Sequence, residues 1–165
     1  MADNSRSFPE IEKDFIRQKI LPEFDWVRFD QPSALNKPGK KLSQCRIALV
    51  STAGAHLANQ AAFNVHDKYG DDSYREIPSE TPANELVLSH PGYNTRKIKE
   101  DPNCVFPIDR LRELAVDGVI GQLNKRAFSF MGYIPLPERL MKERAPEVAH
   151  KLKHDNADLV ILVPG

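Results

Sequence analysis

The chain has 165 residues, and its 23 Lys plus Arg balance 23 Asp plus Glu, so the formal net charge is zero. That length suits one domain with a real core, and the absence of a basic stripe argues against nucleic acid as a partner. No segment approaches the roughly 18 apolar residues of a membrane span, and Met1-Ala2-Asp3-Asn4-Ser5-Arg6 has no apolar run behind it as a secretory signal would; a soluble cytoplasmic protein is the expectation.

Residues 1–44 read as an extension ahead of the core. Pro9 to Leu21 predicts a short amphipathic helix with Ile11, Phe15, Ile16 and Ile20 toward one side. Phe24, Trp26, Val27 and Phe29 follow as aromatic and apolar anchors expected to pack on the domain, and Pro32, Pro38 and Gly39 mark a linker. The α/β part begins at Cys45. Residues 46–51 predict a strand and 52–56 the loop after it. Residues 58–84 are polar, with turn residues Gly70, Asp71, Asp72, Pro78 and Pro82, and predict one long excursion. Residues 85–90 predict a second strand and Asp101-Pro102-Asn103 a turn.

Ile108 to Asp117 predicts a helix with Ile108, Leu111, Leu114 and Ala115 on one face, Asp109 as its cap and Gly118 as its stop. Residues 119–123 predict a short strand, and 128–132 a loop or strand end. Residues 137–154 are helical in pattern, with Pro146 expected to split them into two helices. Residues 157–163, Ala-Asp-Leu-Val-Ile-Leu-Val, read as a buried central parallel strand. Alternating strands and helices predict an α/β fold, a Rossmann-like, open, mainly parallel sheet flanked by helices.

Standard motifs are absent: no GxGxxG, Walker P-loop, HExxH or GxSxG occurs. His150 and His154 stand at i, i+4 but without a carboxylate frame, so a solvated helix face is expected there and no metal site. Cys45 and Cys104 form no CxxC pair, which argues against a dithiol redox centre and leaves two ordinary thiols.

Several blocks stand in order along the chain: residues 48–56 (Ala-Leu-Val-Ser-Thr-Ala-Gly-Ala-His), 70–78 (Gly-Asp-Asp-Ser-Tyr-Arg-Glu-Ile-Pro), Leu88-Ser89-His90, residues 101–114, Gly118-Val119-Ile120-Gly121 and Ser129-Phe130-Met131-Gly132. Together they resemble the selenoprotein B family of glycine, sarcosine, betaine and D-proline reductases, over residues 45–165 and not 1–44. The resemblance implies reductive cleavage of a C–N bond in an amino-acid-like amine, with electrons from dithiols through a thioredoxin-like donor. It also implies a selenocysteine, or a cysteine, immediately after Gly165, and a carbonyl (pyruvoyl-type) group on a partner subunit that this chain cannot itself form. The expectation is that the 165 residues end at the catalytic codon, and that the chain alone is inactive in reduction. The other reading is a complete, non-catalytic α/β module that binds a small anion or a partner protein.

The loop after the first predicted strand sits where open parallel sheets hold ligands, which singles out Thr52, Gly54 and His56. His56 is either a general acid or hydrogen-bond donor to a carboxylate, or a structural loop histidine. Arg75 is either a clamp for a substrate carboxylate, oriented by Glu76, or half of an ion pair with Glu76. Ser129 is a candidate hydrogen-bond donor near the last strand, and Asp71 with Ser73 shapes a turn. The resemblance predicts an in-frame UGA after the Gly165 codon, then codons for proline and a nearby cysteine. Sequencing the gene past that codon checks it, and an ordinary stop with no continuing frame would leave the binding-module reading.

Overall fold

A computed structural model describes residues 6–34, 36–92 and 95–165, so most of the stretch Met1–Arg6 used to judge a signal lies outside the described residues. Helix α1 spans Phe8–Lys19. Pro9 sits in its first turn, where a missing N–H costs nothing, and Glu10 reaches back to accept the Ser7 N–H at 2.9 Å. Its apolar stripe buries nothing: Phe8, Ile11 and Phe15 are exposed. Leu21 and Phe24 are the buried residues of this region. Trp26 packs edge-on against Phe24, ring centroids 5.0 Å apart, and its indole N–H donates to Pro9 O at 3.0 Å, so the aromatic anchors close first on α1.

The core is a mixed five-stranded sheet with helices on both faces. Strand β1 (Arg46–Ser51) lies at its centre. The short β2 (Ala55–His56) pairs antiparallel with β4 (Val87–Leu88) in a separate two-stranded ribbon. The predicted strand 85–90 is therefore two residues long and outside the main sheet, because the chain spends residues 83–85 in a 3-10 turn. Strand β3 (Tyr74–Pro78) interrupts the predicted excursion and runs antiparallel to β6 (Arg126–Phe130), so of the loop or strand end expected at 128–132 the strand end is what forms. Strand β5 (Gln122–Leu123) and β6 are both parallel to β1, pairing with its start and its end respectively. The last strand, β7 (Leu159–Val163), pairs parallel with β1 over Ile47 to Ser51.

That placement corrects the reading of the last strand. β7 has only β1 as a neighbour, so it is an edge strand, and its apolar residues Val160, Ile161 and Leu162 are exposed, Leu162 by 73%. A continuous apolar run marks a strand that wants cover on both faces, and among the described residues that cover reaches β1 but not β7.

Alternation along β1 and β6 sends neighbouring side chains to opposite faces. Leu49, Ile77 and Ala127 meet Ile108 and Leu111 of α3 (Ile108–Val116) on one face. Ala48, Phe128 and Phe130 meet Val148 and Leu152 of α4 (Ala145–His154) on the other. Each large side chain fully buried here contributes about 1.5–3 kcal/mol. In chain order the four-residue α2 (Thr95–Ile98) precedes α3.

Helix α3 stops as expected at Gly118, whose φ of +69° suits glycine, but its start differs. Asn103 Oδ1 accepts the Asp109 N–H at 3.1 Å, and Asp109 instead accepts from Ala83 N, Asn103 Nδ2 and Arg112, tying the helix to the turn at residues 82–83. Pro146 does not split the last helix. It falls in the first turn of α4, and the helix continues into it from a π-helical turn over Leu140–Arg144, where wider bonding absorbs the missing N–H.

Arg126 ties the layers together. Its guanidinium holds Asp155 through Nε at 2.7 Å and Nη2 at 2.8 Å, and Glu76 through Nη1 at 2.7 Å, while Lys151 of α4 pairs with the same Glu76. Asp155 is 2% exposed. Burial alone would raise its carboxyl, but hydrogen bonds from Arg126, Lys125 and Asn124 outweigh burial and hold it well below the usual carboxylate range. Removing one partner of a buried pair costs about 3–5 kcal/mol, so Asp155→Asn should destabilise by that order at neutral pH. A depressed carboxyl stabilises above its unfolded value and loses that contribution as pH falls toward its folded value. The gap between wild type and Asp155→Asn in urea unfolding should therefore be constant from about pH 7 to 5 and narrow below about pH 4.

Candidate functional site

The carboxyl ends of β1, β6 and β7 are drawn together by the loop at residues 52–54. Thr52 N donates to Val163 O at 3.0 Å, and Thr52 Oγ1 accepts the Gly165 N–H at 2.8 Å. Gly54 N donates to Phe130 O at 2.7 Å, and Gly54 O accepts Ser89 N at 2.9 Å, which docks the ribbon of β2 and β4 on the same spot. Ser51 Oγ accepts Ala53 N at 3.1 Å and donates to Val105 O at 2.7 Å. Gly54 has φ +66°, and a Cβ there would stand 2.0 Å from Ser89 O, so only glycine fits.

Above these ends opens a pocket of about 340 Å³, walled by Ile20, His90, Gly92, Gly132, Tyr133 and Gly165 among others. Gly132, at φ +93°, lies where a Cβ would come within 2.8 Å of Thr52 O and 3.1 Å of His90 Nε2. His90 is half-buried, and burial lowers the pKa of its ring. Gly92 N donates to His90 Nδ1 at 2.9 Å. Tyr133 commits its hydroxyl to Lys68 O at 3.1 Å.

The residues singled out in the sequence are distributed unevenly around this pocket. Thr52 and Gly54 are not among its lining residues; Thr52 Oγ1 holds Gly165, and Gly54 N donates to Phe130 O. His56 lies behind the pocket, 4% exposed, with Nδ1 2.9 Å from Leu57 O, Nε2 3.0 Å from Ser89 Oγ and its ring edge-on to Phe63. Ser129, fully buried, uses Oγ to accept the Ala55 N–H at 2.8 Å. Arg75 and Glu76 do not pair, which corrects both readings that join them: neighbours in a strand point to opposite faces. Arg75 lies over the Phe63 ring, 4.3 Å from its centroid, and donates to Ala61 O at 2.8 Å and Ser73 Oγ at 2.9 Å. Glu76 belongs to the Arg126 cluster on the far side. Asp71 and Ser73 do shape a turn, with Asp71 accepting Ser73 N at 2.9 Å.

His90, in the wall of this pocket, is not among the candidate site residues singled out in the sequence. Its signal is the turn His90-Pro91-Gly92 after an apolar pair, where a side-chain acceptor can take the N–H two residues on, as Asn and Asp do in similar turns. Among the described residues, no group of three His, Cys, Asp or Glu side chains is placed to hold a metal. Cys45 is buried and Cys104 exposed, both as free thiols. No helix is long and apolar enough to cross a membrane, among the described residues.

A family model described as glycine/sarcosine/betaine reductase selenoprotein B matches residues 11–164. The chain belongs to this family. The match also extends the resemblance toward the amino terminus, through most of α1 and the aromatic segment, rather than beginning at residue 45. The D-proline reductase subunit gamma of Acetoanaerobium sticklandii is 35% identical over 140 residues, covering 85% of this chain and 57% of that protein. The glycine reductase complex component B subunit gamma of Symbiobacterium thermophilum is 31% identical over 149 residues, covering 86% of this chain and 32% of that protein. The sarcosine reductase complex component B subunit beta of Peptoclostridium acidaminophilum is 27% identical over 124 residues, 70% of this chain and 27% of that protein. The chain thus spans little more than half of one of these relatives and about a third or less of the others. No solved structure matches it.

Gly54→Ala should cost about 3 kcal/mol, the sum of a positive φ and a backbone clash. Gly118→Ala, at a similar φ but facing open space, should cost only about 1 kcal/mol. Paired denaturant titrations check the ranking.

Proposed function

We propose that the chain forms part of a reductase subunit that cleaves a C–N bond in glycine, sarcosine, betaine, D-proline or a similar amine. The observation that carries this reading is the family match over residues 11–164, joined to a pocket at the carboxyl ends of parallel strands, the usual ligand position in such sheets. In the overall change the C–N bond is replaced by C–H, the amine leaves, and a dithiol ends as a disulfide. A thioredoxin-like donor would supply that dithiol, and a partner subunit would supply the carbonyl group.

Gly132, Gly165 and His90 line this pocket, and Thr52 O stands within 2.9 Å of where a Cβ would fall at either glycine, so the wall there is closely packed main chain. A selenocysteine at this pocket would supply a nucleophile that ionises more readily than a thiol. Within this reading Thr52 and Gly54 hold the strand ends next to the pocket. Ser129 and His56 fix the loop from behind, through Ala55 N and Ser89 Oγ. Arg75 and Glu76 hold β3 and its preceding loop in place. The exposed apolar residues of β7 support assembly with other protein, since an uncovered strand edge of this kind favours association.

The test uses the subunit carrying this sequence, purified from its host with whatever it assembles with. Dithiothreitol serves as donor, and each of the four amines is supplied in turn. Dithiol oxidation that depends on one of the amines, with release of its nitrogen-free or ring-opened product, is the expected result. A complete assembly that turns over none of them overturns the proposal.

A further inference from the structure

Helix α1 carries an apolar stripe that covers nothing in this chain. Phe8, Ile11 and Phe15 recur at intervals of three and four residues, which lines them along one face of the helix. They are 74%, 50% and 57% exposed, and α1 buries none of its residues. The helix is held from its other side. Pro9 O takes the Trp26 indole N–H, Arg17 Nε donates to Phe24 O at 2.6 Å, and Lys13 and Arg17 both pair with Asp25.

The charges of α1 sort the same way. Glu10 caps the helix through Ser7, Asp14 pairs with Arg6, and Lys13 and Arg17 are spent on Asp25. Glu12 and Lys19 are left, and neither side chain has a hydrogen-bonded or ionic partner among the described residues. Glu12 follows Phe8 by four residues and Lys19 follows Phe15 by four, so both lie on the apolar face. Two helical turns, about 10 Å along the axis, separate them.

A face of this kind is complementary to itself. Two copies of α1 packed antiparallel about a twofold axis bring residue i of one opposite residue j of the other, and j opposite i. With the axis between Phe15 and Ile16, Glu12 of each copy meets the partner's Lys19. The same register joins the two Phe15 rings at the axis and sets Ile11 opposite the partner's Ile20, which is also exposed. A parallel pair in register would instead set Glu12 against Glu12 and Lys19 against Lys19, and like charges repel. We propose that this face of α1 is a dimerisation surface whose partner is a second copy of the chain, packed antiparallel through Phe15 with reciprocal Glu12–Lys19 ion pairs. A three-turn helix makes a small interface, so the dimer forms reversibly.

Sedimentation velocity of the full chain, at concentrations rising to about 1 mM, tests this. Wild type should pass from monomer to dimer across that range. Glu12→Lys alone and Lys19→Glu alone each turn two attractions into two repulsions, and should weaken the dimer about tenfold or more. Mixing these two variants restores both attractions across the interface, so the equimolar mixture should dimerise as wild type does. The double variant Glu12→Lys/Lys19→Glu should do the same. Recovery on mixing has no counterpart if the single variants merely disturb folding. Wild type that stays monomeric throughout, an assembly that both single variants leave intact, or losses that mixing does not restore would each overturn the proposal. The second of these would place association on another face, such as β7.

Discussion

The fold hangs on one arginine. Arg126 enters β6 between two carboxylates from different layers, Asp155 at the end of α4 and Glu76 on β3. The chain reaches Arg126 directly from β5, through Asn124, whose N–H donates to Ile47 O at 2.7 Å. Asn124 Nδ2 also reaches Asp155 at 3.2 Å, so the step from β5 to β6 is pinned by the same carboxylate. Arg46 of β1 donates to Asp155 O as well. The planar guanidinium suits this because it offers several donors in one plane, where a lysine would offer a single point charge. With the carboxylate fully paired, the desolvation that burial imposes is offset, and α4 is held across one face of the sheet.

That clamp sits at the opposite side of β6 from the pocket. β6 runs from Arg126 to Phe130, and Phe130 O takes the Gly54 N–H. The strand therefore carries a rigid ionic anchor at its start and a backbone junction at its end. The junction works through small groups: Gly54 for close approach, Ser51 and Ser129 hydroxyls for stray N–H groups, Gly132 for a closely packed wall. Buried backbone donors must be paired, and here two serine side chains do the pairing that a longer ladder would otherwise provide. The result is a strand-end junction next to the pocket that is held largely by main-chain bonds.

Much of this was legible in the sequence, and the failures have physical causes. β1 and α3 show clean apolar patterning, and Gly118 a clean stop, so all three were placed nearly to the residue. β3 lies inside the polar stretch that reads as one long excursion, and β6 overlaps residues 128–132, which read as a loop or strand end; the charges of Arg75, Glu76 and Arg126 hide these strands because they are spent on partners distant in sequence. β7 was recognised as a strand but taken as buried, since apolar content reports what a strand would bury and not what lies beside it. Pro146 was taken as a break because its place in the first turn of a new helical segment depends on the π-turn before it. Thr52 and Gly54 stand at the carboxyl end of β1, where strand-end logic expects them, but not among the residues that line the pocket. Arg75 and Glu76 were joined by adjacency, which strand geometry forbids.

Two histidines, His56 in the ribbon and His90 just past it, make the same point at the scale of single atoms. His56 had the better position in sequence, directly after the β1 loop, and the structure spends it on packing: both ring nitrogens lie within hydrogen-bond distance of protein oxygens, and one of these belongs to Ser89. That contact, with Ser89 N on Gly54 O, fixes the chain at residue 89. In extended chain the next side chain turns to the other side. His90 is thereby sent toward Gly132 and the strand ends, and Pro91 and Gly92 close a turn that returns an N–H to its ring. The buried histidine is what aims the half-buried one, so a change at His56 would reach the pocket through Ser89 without His56 ever touching a ligand.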